Sequence, residues 1–140
     1  MTIKQLSIFV ENKTGRLHSI MDTLSSAGVD ITALSIADTT DFGILRVIVS
    51  DIFAAREALK SIGVVSKITD EIAVYIDHKV GGLASVIDHL SDEGVSIEYM
   101  YAFLGRKEGK ALMVLKVDDQ QKAIKIFNSN NVKLASNDEI

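Results

Sequence analysis

The 140-residue chain has no cysteine, no proline, no basic cluster and no long apolar run. Without cysteine there can be no disulfide, thiolate metal site or cysteine nucleophile. Without a stripe of Lys and Arg, and with a net charge of −4, a nucleic-acid groove is not expected, because phosphates need clustered cations. No apolar stretch approaches the ~18 residues of a membrane span. The opening residues Met1-Thr2-Ile3-Lys4-Gln5 lack the apolar core of a signal peptide. The expectation is a cytoplasmic protein without nucleic-acid or membrane partners and without a cofactor. What remains is ordinary globular composition, 47% hydrophobic and 24% charged.

The sequence repeats itself, and repeats decide architecture. Asn12-Lys13-Thr14-Gly15-Arg16-Leu17 lies 66 residues before His78-Lys79-Val80-Gly81-Gly82-Leu83. At that offset Ser19, Asp22, Leu24, Gly28-Val29 and Ile31 match Ser85, Asp88, Leu90, Gly94-Val95 and Ile97. Further on the offset becomes 68, where Val49, Asp51, Ala55 and Val64 match Val117, Asp119, Ala123 and Val132. The second copy therefore carries two extra residues near Gly105-Arg106-Lys107-Glu108-Gly109, a lengthened hairpin. A lone module of roughly 70 residues buries only about 60% of its unfolded surface, so the copies are expected to pack together.

Each copy has the same pattern of elements. Leu6, Ile8 and Val10 alternate with Ser7 and Phe9, a half-buried strand. Leu17, Ile20, Met21 and Leu24 follow at helical spacing, and Gly28 ends that helix. Ile31 to Asp38 is a second strand, Thr39 to Gly43 a turn, and Ile44 to Ser50 a third strand. Asp51 caps a helix to about Ile62, and Val64 to Ile68 is a fourth strand. Thr69-Asp70-Glu71 links to Ile72 to Asp77. The fold class is α+β: two ferredoxin-like β-α-β-β-α-β modules in tandem, residues 1–69 and 70–140. They are expected to pair into one continuous antiparallel sheet with the helices on one side.

By parity, Leu6, Ile8, Val10, Leu34, Ile36, Leu45, Val47 and Val49 face the helices. The opposite face carries Tyr75, Tyr99, Tyr101 and Phe103 in copy two, against Phe9, Ala33, Ser35 and Ala37 in copy one. An aromatic row there is expected to meet a partner surface, with Ala33, Ser35 and Ala37 as a candidate counterpart. The plainer alternative is stacking across strands.

Chemistry is expected at the first loop of each copy. Gly15 and Gly81-Gly82 stand at a helix start, where free N–H groups and the helix dipole favour an anion such as an amino-acid carboxylate. The glycine spacing fits neither a Walker A loop nor a dinucleotide fingerprint. His18, His78 and His89 have no metal-ligand spacing. His18 and His89 fall on solvated helix faces, and His78 holds the slot of Asn12. Ser19 and Ser85 repeat without a repeated base, so no catalytic residue is expected. Asp118 and Asp119 are a strand end and a helix cap.

Glu11-Asn12-Lys13-Thr14-Gly15-Arg16-Leu17, Ala27-Gly28-Val29-Asp30-Ile31 and Thr40-Asp41-Phe42-Gly43-Ile44-Leu45-Arg46 resemble the core motifs of ACT domains. The likeness covers the chain twice, more loosely in copy two. The family's loop proline is Thr14 in one copy and Val80 in the other, so loop rigidity must come from elsewhere. The resemblance implies an amino-acid ligand between the loop of one copy and the second strand of a neighbour. Its loop residues are Asn12, Thr14, Gly15, Arg16 and Leu17, with His78, Val80, Gly81, Gly82 and Leu83 in the second copy. The facing strand residues are Ile36, Ala37 and Asp38, or Met100, Tyr101 and Ala102. Asn12 can bind through both ends of its amide or serve as a helix cap or Asx-turn. Leu17 and Leu83 are expected to be core first. The Asn12 loop, with Thr14 and cationic Arg16, is expected to be the better amino-acid site.

Two functions follow. One is a regulatory sensor of amino acids, a homo-oligomer (dimer) or the companion of a partner enzyme. The alternative is a ligand-independent interaction module or a regulatory subunit of an amino-acid biosynthetic enzyme. Neither is an enzyme.

Overall fold

The computed structural model describes residues 1–38, 41–105 and 109–140. Strand β1 covers Ile3–Glu11, helix α1 Arg16–Ser26, β2 Ile31–Asp38, β3 Phe42–Val49 and α2 Ile52–Ser61. Then come β4 Ser66–Asp77, α3 Gly82–Ser91, β5 Ile97–Ala102, β6 Lys110–Val117, α4 Gln120–Ser129 and a 3-10 turn at Asn137–Glu139. The β-α-β-β-α-β order occurs twice, giving two ferredoxin-like modules of α+β class. By contacts the chain divides into two compact units: Lys4–Thr69, and Met1–Ile3 with Asp70–Ile140.

The strands differ from the sequence reading at three places. Thr69, Asp70 and Glu71 are not a loop but part of β4, a strand of 12 residues that carries both the end of copy one and the start of copy two. No glycine or proline interrupts residues 64–77, so nothing breaks the extended backbone. The last strand of copy two shrinks to a bridge between Val74 and Leu134. Around it Tyr75 N–H donates to Lys133 O at 2.9 Å and Ala135 N–H to Ala73 O at 2.8 Å. Phe42 and Gly43 belong to β3 rather than to a turn. Asp41 precedes the strand as a bend; Thr39 and Thr40 of that turn lie outside the described residues, as do Arg106, Lys107 and Glu108 of the lengthened hairpin.

In the unit Lys4–Thr69, β3 pairs antiparallel with β1 on one side and β2 on the other. Leu6 lies opposite Val47 and Ile8 opposite Leu45, so all four share the helix face. There they pack with Ile20 and Leu24 of α1 and Ala55 and Leu59 of α2. Leu34 and Ile36 lie opposite Val47 and Leu45, on the same face, yet are 39% and 53% exposed. Their parity was legible, but β2 is the outer strand, beyond the cover of the helix pair.

In the other unit β6 lies between β4 and β5. Ile72, Val74, Ile76, Leu115 and Val117 pack with Val86 and Leu90 of α3 and Ala123, Ile126 and Phe127 of α4. Tyr75, Tyr99 and Tyr101 have the opposite parity. Tyr101 is only 7% exposed, while Tyr75, Tyr99 and Phe103 are half-buried. Tyr99 stacks on Tyr101 with centroids 6.4 Å apart, and its hydroxyl reaches Glu71 Oε1 at 3.4 Å.

Two helices have the aspartate caps that the sequence predicts. The Ala54 N–H donates to Asp51 Oδ1 at 3.0 Å and the Lys122 N–H to Asp119 Oδ1 at 3.1 Å. Asp118 ends its strand by accepting from Ser96 N–H at 3.0 Å. Helices α1 and α3 have no side-chain cap, so Asn12 does not cap α1. Asp51→Ala and Asp119→Ala are each expected to lower unfolding free energy by about 1 kcal/mol, and Asn12→Ala by much less. Urea titrations check this; equal losses at all three positions would reinstate Asn12 as a cap.

Near the end of the chain Tyr75 O–H donates to Glu139 Oε2 at 2.8 Å. That hydrogen bond, opposed by desolvation and helped by Ser136 and Lys133, holds Glu139 below its ordinary 4.5. A carboxyl group depressed in the folded state stabilises above its ordinary value, and the contribution fades as pH falls through the folded value. The parent is therefore expected to be more stable than Glu139→Gln at neutral pH, the gap closing as pH drops below 4.5. A gap that does not change with pH would contradict this.

Candidate functional site

After β1 ends at Glu11, the chain turns through Asn12–Gly15 into α1. Lys13 N–H donates to Glu11 O at 2.8 Å and Arg16 N–H to Lys13 O at 3.1 Å. Gly15 then takes φ +84°, a left-handed conformation that side chains disfavour. Copy two makes the same turn. Lys79 N–H donates to Asp77 O at 2.9 Å, Gly82 N–H to Lys79 O at 3.1 Å, and Gly81 takes φ +82°. These backbone bonds supply the rigidity that a proline would otherwise give. The first intrahelical bonds run from Ser19 N–H to Gly15 O and from Ser85 N–H to Gly81 O, both 3.0 Å. That leaves the N–H groups of Leu17 and His18, and of Leu83 and Ala84, without intrahelical acceptors. Both helix starts thus present free donors at the positive end of a dipole.

The predicted site residues are not all brought together. Asn12, Thr14, Gly15, His78, Val80 and Gly81 are exposed on the two turns, Arg16 is half-buried and Gly82 is buried. Leu17 and Leu83 are 40% and 41% exposed, which corrects their reading as core. They share a helical face with Ile20 and Val86, but sit in the first turn, where the cores do not reach. Ile36, Ala37 and Asp38 lie on the outer strand β2. Asp38 pairs with Gly43 and Gly43 with Val10. Asp38 is thus at the same end of the sheet as the Asn12 turn, but two strand spacings away, about 10 Å. Met100, Tyr101 and Ala102 lie on β5, and Ala102 is level with Met113 and Val74, short of the second turn.

What each turn does meet is the connection after the second helix of its own copy. In copy one Phe9, Glu11, Arg16, Phe42, Gly63, Val64 and Val65 line a pocket of about 350 Å³. In copy two the equivalent residues are Tyr75, Asp77, Gly82, Lys110, Asn131, Val132 and Lys133. They line a pocket of about 560 Å³ with Lys79, Val80, Gly81, Ser85, Val86, His89 and Asn130. One place in the fold is hollow twice. Phe9 N–H to Val65 O at 3.0 Å, and Tyr75 N–H to Lys133 O at 2.9 Å, hold the two walls together. Sequence reasoning missed residues 63–65, 110 and 130–133, although the match of Val64 with Val132 was a usable signal.

The two pockets differ in chemistry. In copy two a Cβ at Gly82 would collide with the Asp77 carbonyl oxygen, so the helix start lies against the strand end and no side chain fills the space. Asp77 pairs with Lys110 and lies 3.9 Å from Lys79. The hydrogen bond and charge of Lys110, and less so Lys79, hold Asp77 below its ordinary 3.8 despite some desolvation. Lys133 Nζ lies 4.9 Å above the Tyr75 ring and 3.8 Å from Glu139. His89, expected on a solvated face, is the histidine that lines this pocket, and His78 does not. His18 is exposed beside Asp22, 3.5 Å away. In copy one the lining is apolar except for Glu11 and Arg16. Among the described residues no group of three His, Cys, Asp or Glu could hold a metal ion.

The family model for an ACT domain pair matches residues 1–140. No curated protein matches the chain. Among solved structures, protein BT0572 from Bacteroides thetaiotaomicron is 40% identical, with a TM-score of 0.90 over 98% of this chain and 94% of that one. The ligand-free regulatory subunit of aspartate kinase from Thermus thermophilus is 15% identical, with a TM-score of 0.64 over 90% and 91%. The corresponding subunit from Thermus flavus is 14% identical, with a TM-score of 0.60 over 90% of each. At those identities the two subunits share the fold. A family model spanning the whole repeat, and a 40% identical structure over nearly all of it, agree with the duplicated loop and helix pattern: the chain belongs to the family of ACT domain pairs.

Proposed function

We propose that the chain is a cytoplasmic regulatory protein that binds a free amino acid and catalyses nothing. The observation that carries this is the start of α3, uncapped by any side chain and opening on a pocket that also holds Asp77 and three lysines. An amino acid is a zwitterion, and that lining has a group for each end. The N–H groups of Leu83 and Ala84, with Lys79 or Lys133, receive the carboxylate, and Asp77 receives the ammonium. Copy two is therefore the proposed amino-acid site in place of the Asn12 loop that the sequence favours, because two of its three lysines, Lys110 and Lys133, come from β6 and the segment after α4. Two proteins of the same fold are regulatory subunits of aspartate kinase. By that likeness the chain is proposed to alter the activity of a partner enzyme as its ligand comes and goes.

Melting of the intact chain with each of the twenty amino acids tests this. One of them is expected to raise the melting temperature progressively with concentration, following RT ln(1 + [L]/Kd). The dissociation constant is expected between about 1 μM and 1 mM, or about −8 to −4 kcal/mol. Lys79→Gln and Lys133→Gln are each expected to weaken that binding by about 1 kcal/mol, typical of a partly exposed charge contact, and Thr14→Ala to leave it unchanged. A flat response to all twenty at roughly ten times the weakest of these constants would reject amino-acid binding in favour of a ligand-independent interaction module.

A further inference from the structure

We propose that the turn Asn137–Glu139 holds the copy-two pocket in check, because Glu139 competes with the carboxylate of a bound amino acid for Lys133. The inference rests on the amino-acid reading of that pocket and adds its regulation. Lys133 lines the pocket, yet its Nζ lies 3.8 Å from Glu139, a residue outside the lining. The same Nζ stands 4.9 Å above the Tyr75 ring, and the Tyr75 hydroxyl, on another lining residue, donates to Glu139 at 2.8 Å. Pocket wall and turn therefore share two side chains. The Tyr75 hydrogen bond holds Glu139 below its ordinary 4.5, so the turn presents an ionised carboxylate to Lys133 at neutral pH.

The turn can release Lys133 without losing its other bonds. Glu139 accepts from Tyr75 and from Ser136 Oγ at 3.2 Å, both closer than the lysine, so its carboxylate stays hydrogen-bonded when the lysine leaves. The Lys133 side chain is 70% exposed, and its flexible stem lets the ammonium swing from one carboxylate to another. Coupling of this kind is reciprocal: the turn weakens the ligand by the factor by which the ligand weakens the lysine's tie to the turn. Occupancy of the pocket is thereby passed to residues 137–139, which are exposed.

Copy one has none of these parts. Phe9 and Val65 stand there for Tyr75 and Lys133, and at the 68-residue offset the turn corresponds to residues 69–71, which continue β4. In copy two the last strand shrinks to the Val74–Leu134 bridge, and the residues after it form the turn instead. Turn, tyrosine and lysine occur together in the copy whose pocket is charged.

Calorimetry with each of the twenty free amino acids, on the full chain and on its Glu139→Gln variant, tests it. At least one amino acid is expected to bind, and to bind Glu139→Gln about two- to fivefold more tightly, the scale of an exposed ion pair removed. Glu139→Ala repeats the comparison without a side-chain carbonyl that could still engage Lys133. With Lys133→Gln already in place, Glu139→Gln is expected to change affinity no further, which separates competition for the lysine from a general loss of negative charge. A cooperative melt of each variant beforehand establishes that it folds. Equal or weaker binding by both Glu139 variants, or the same tightening with Lys133 already replaced, would overturn the proposal and leave the amino-acid reading standing. No saturable binding of any of the twenty to the parent or the variants would overturn both. Binding to the Glu139 variants alone would support a turn that shuts the pocket outright.

Discussion

A left-handed glycine turns each copy's first strand into its first helix, and much of the molecule's chemistry follows from that turn. The conformation at Gly15 and Gly81, φ near +84° and +82°, is one that a residue with a Cβ pays to adopt. A glycine at the N-cap has no side chain to offer the first-turn N–H groups, so those helices begin uncapped. The other two helices begin with Asp51 and Asp119, whose carboxylates bond the backbone. The contrast is internal to one chain and occurs twice. Each uncapped start forgoes about 1 kcal/mol that an aspartate would contribute. It leaves in exchange a set of first-turn N–H groups without intrahelical acceptors.

The second helix of each copy completes the geometry. Its capped start fixes where it runs, and its end brings residues 63–65 or 131–133 beside the first strand. The backbone bonds Phe9 to Val65 and Tyr75 to Lys133 set the far wall of each pocket. With the frame fixed, lining residues can change without disturbing either core. Phe9, Phe42 and Val65 become Tyr75, Lys110 and Lys133, and Arg16 becomes Gly82. One pocket is then small and apolar around a single guanidinium, the other larger and ringed with charge. Duplication has yielded one architecture with two chemistries.

Much of this was legible in the sequence because it is local. Strand alternation, helical spacing, the aspartates at positions 51 and 119, and the glycines at 15 and 81 each act within a few residues. The 66- and 68-residue offsets revealed the duplication. What could not be read depended on contacts between distant segments. Leu17 and Leu83 have helical parity with the core, but whether the sheet extends beneath them depends on where β1 and β4 end. Leu34 and Ile36 have the right parity on a strand that the helices do not cover. His89 was assigned to solvent because its pocket is built partly from Lys110 and Lys133, remote in sequence. Residues 69–71 were read as a link between the copies, when the absence of glycine and proline from residues 64–77 was the better guide to a continuous strand.

The central claim is that a ligand carboxylate takes the capping place that glycine leaves vacant at α3. Amide proton and nitrogen shifts, followed residue by residue while the bound amino acid is titrated in, test it directly. The N–H signals of Leu83 and Ala84 are expected to move downfield in step with saturation, as they do when a donor gains a charged acceptor, with those of Ala54 and Lys122 at the aspartate-capped helices unmoved. Saturable binding that leaves Leu83 and Ala84 where they were, with shifts confined elsewhere, would contradict it.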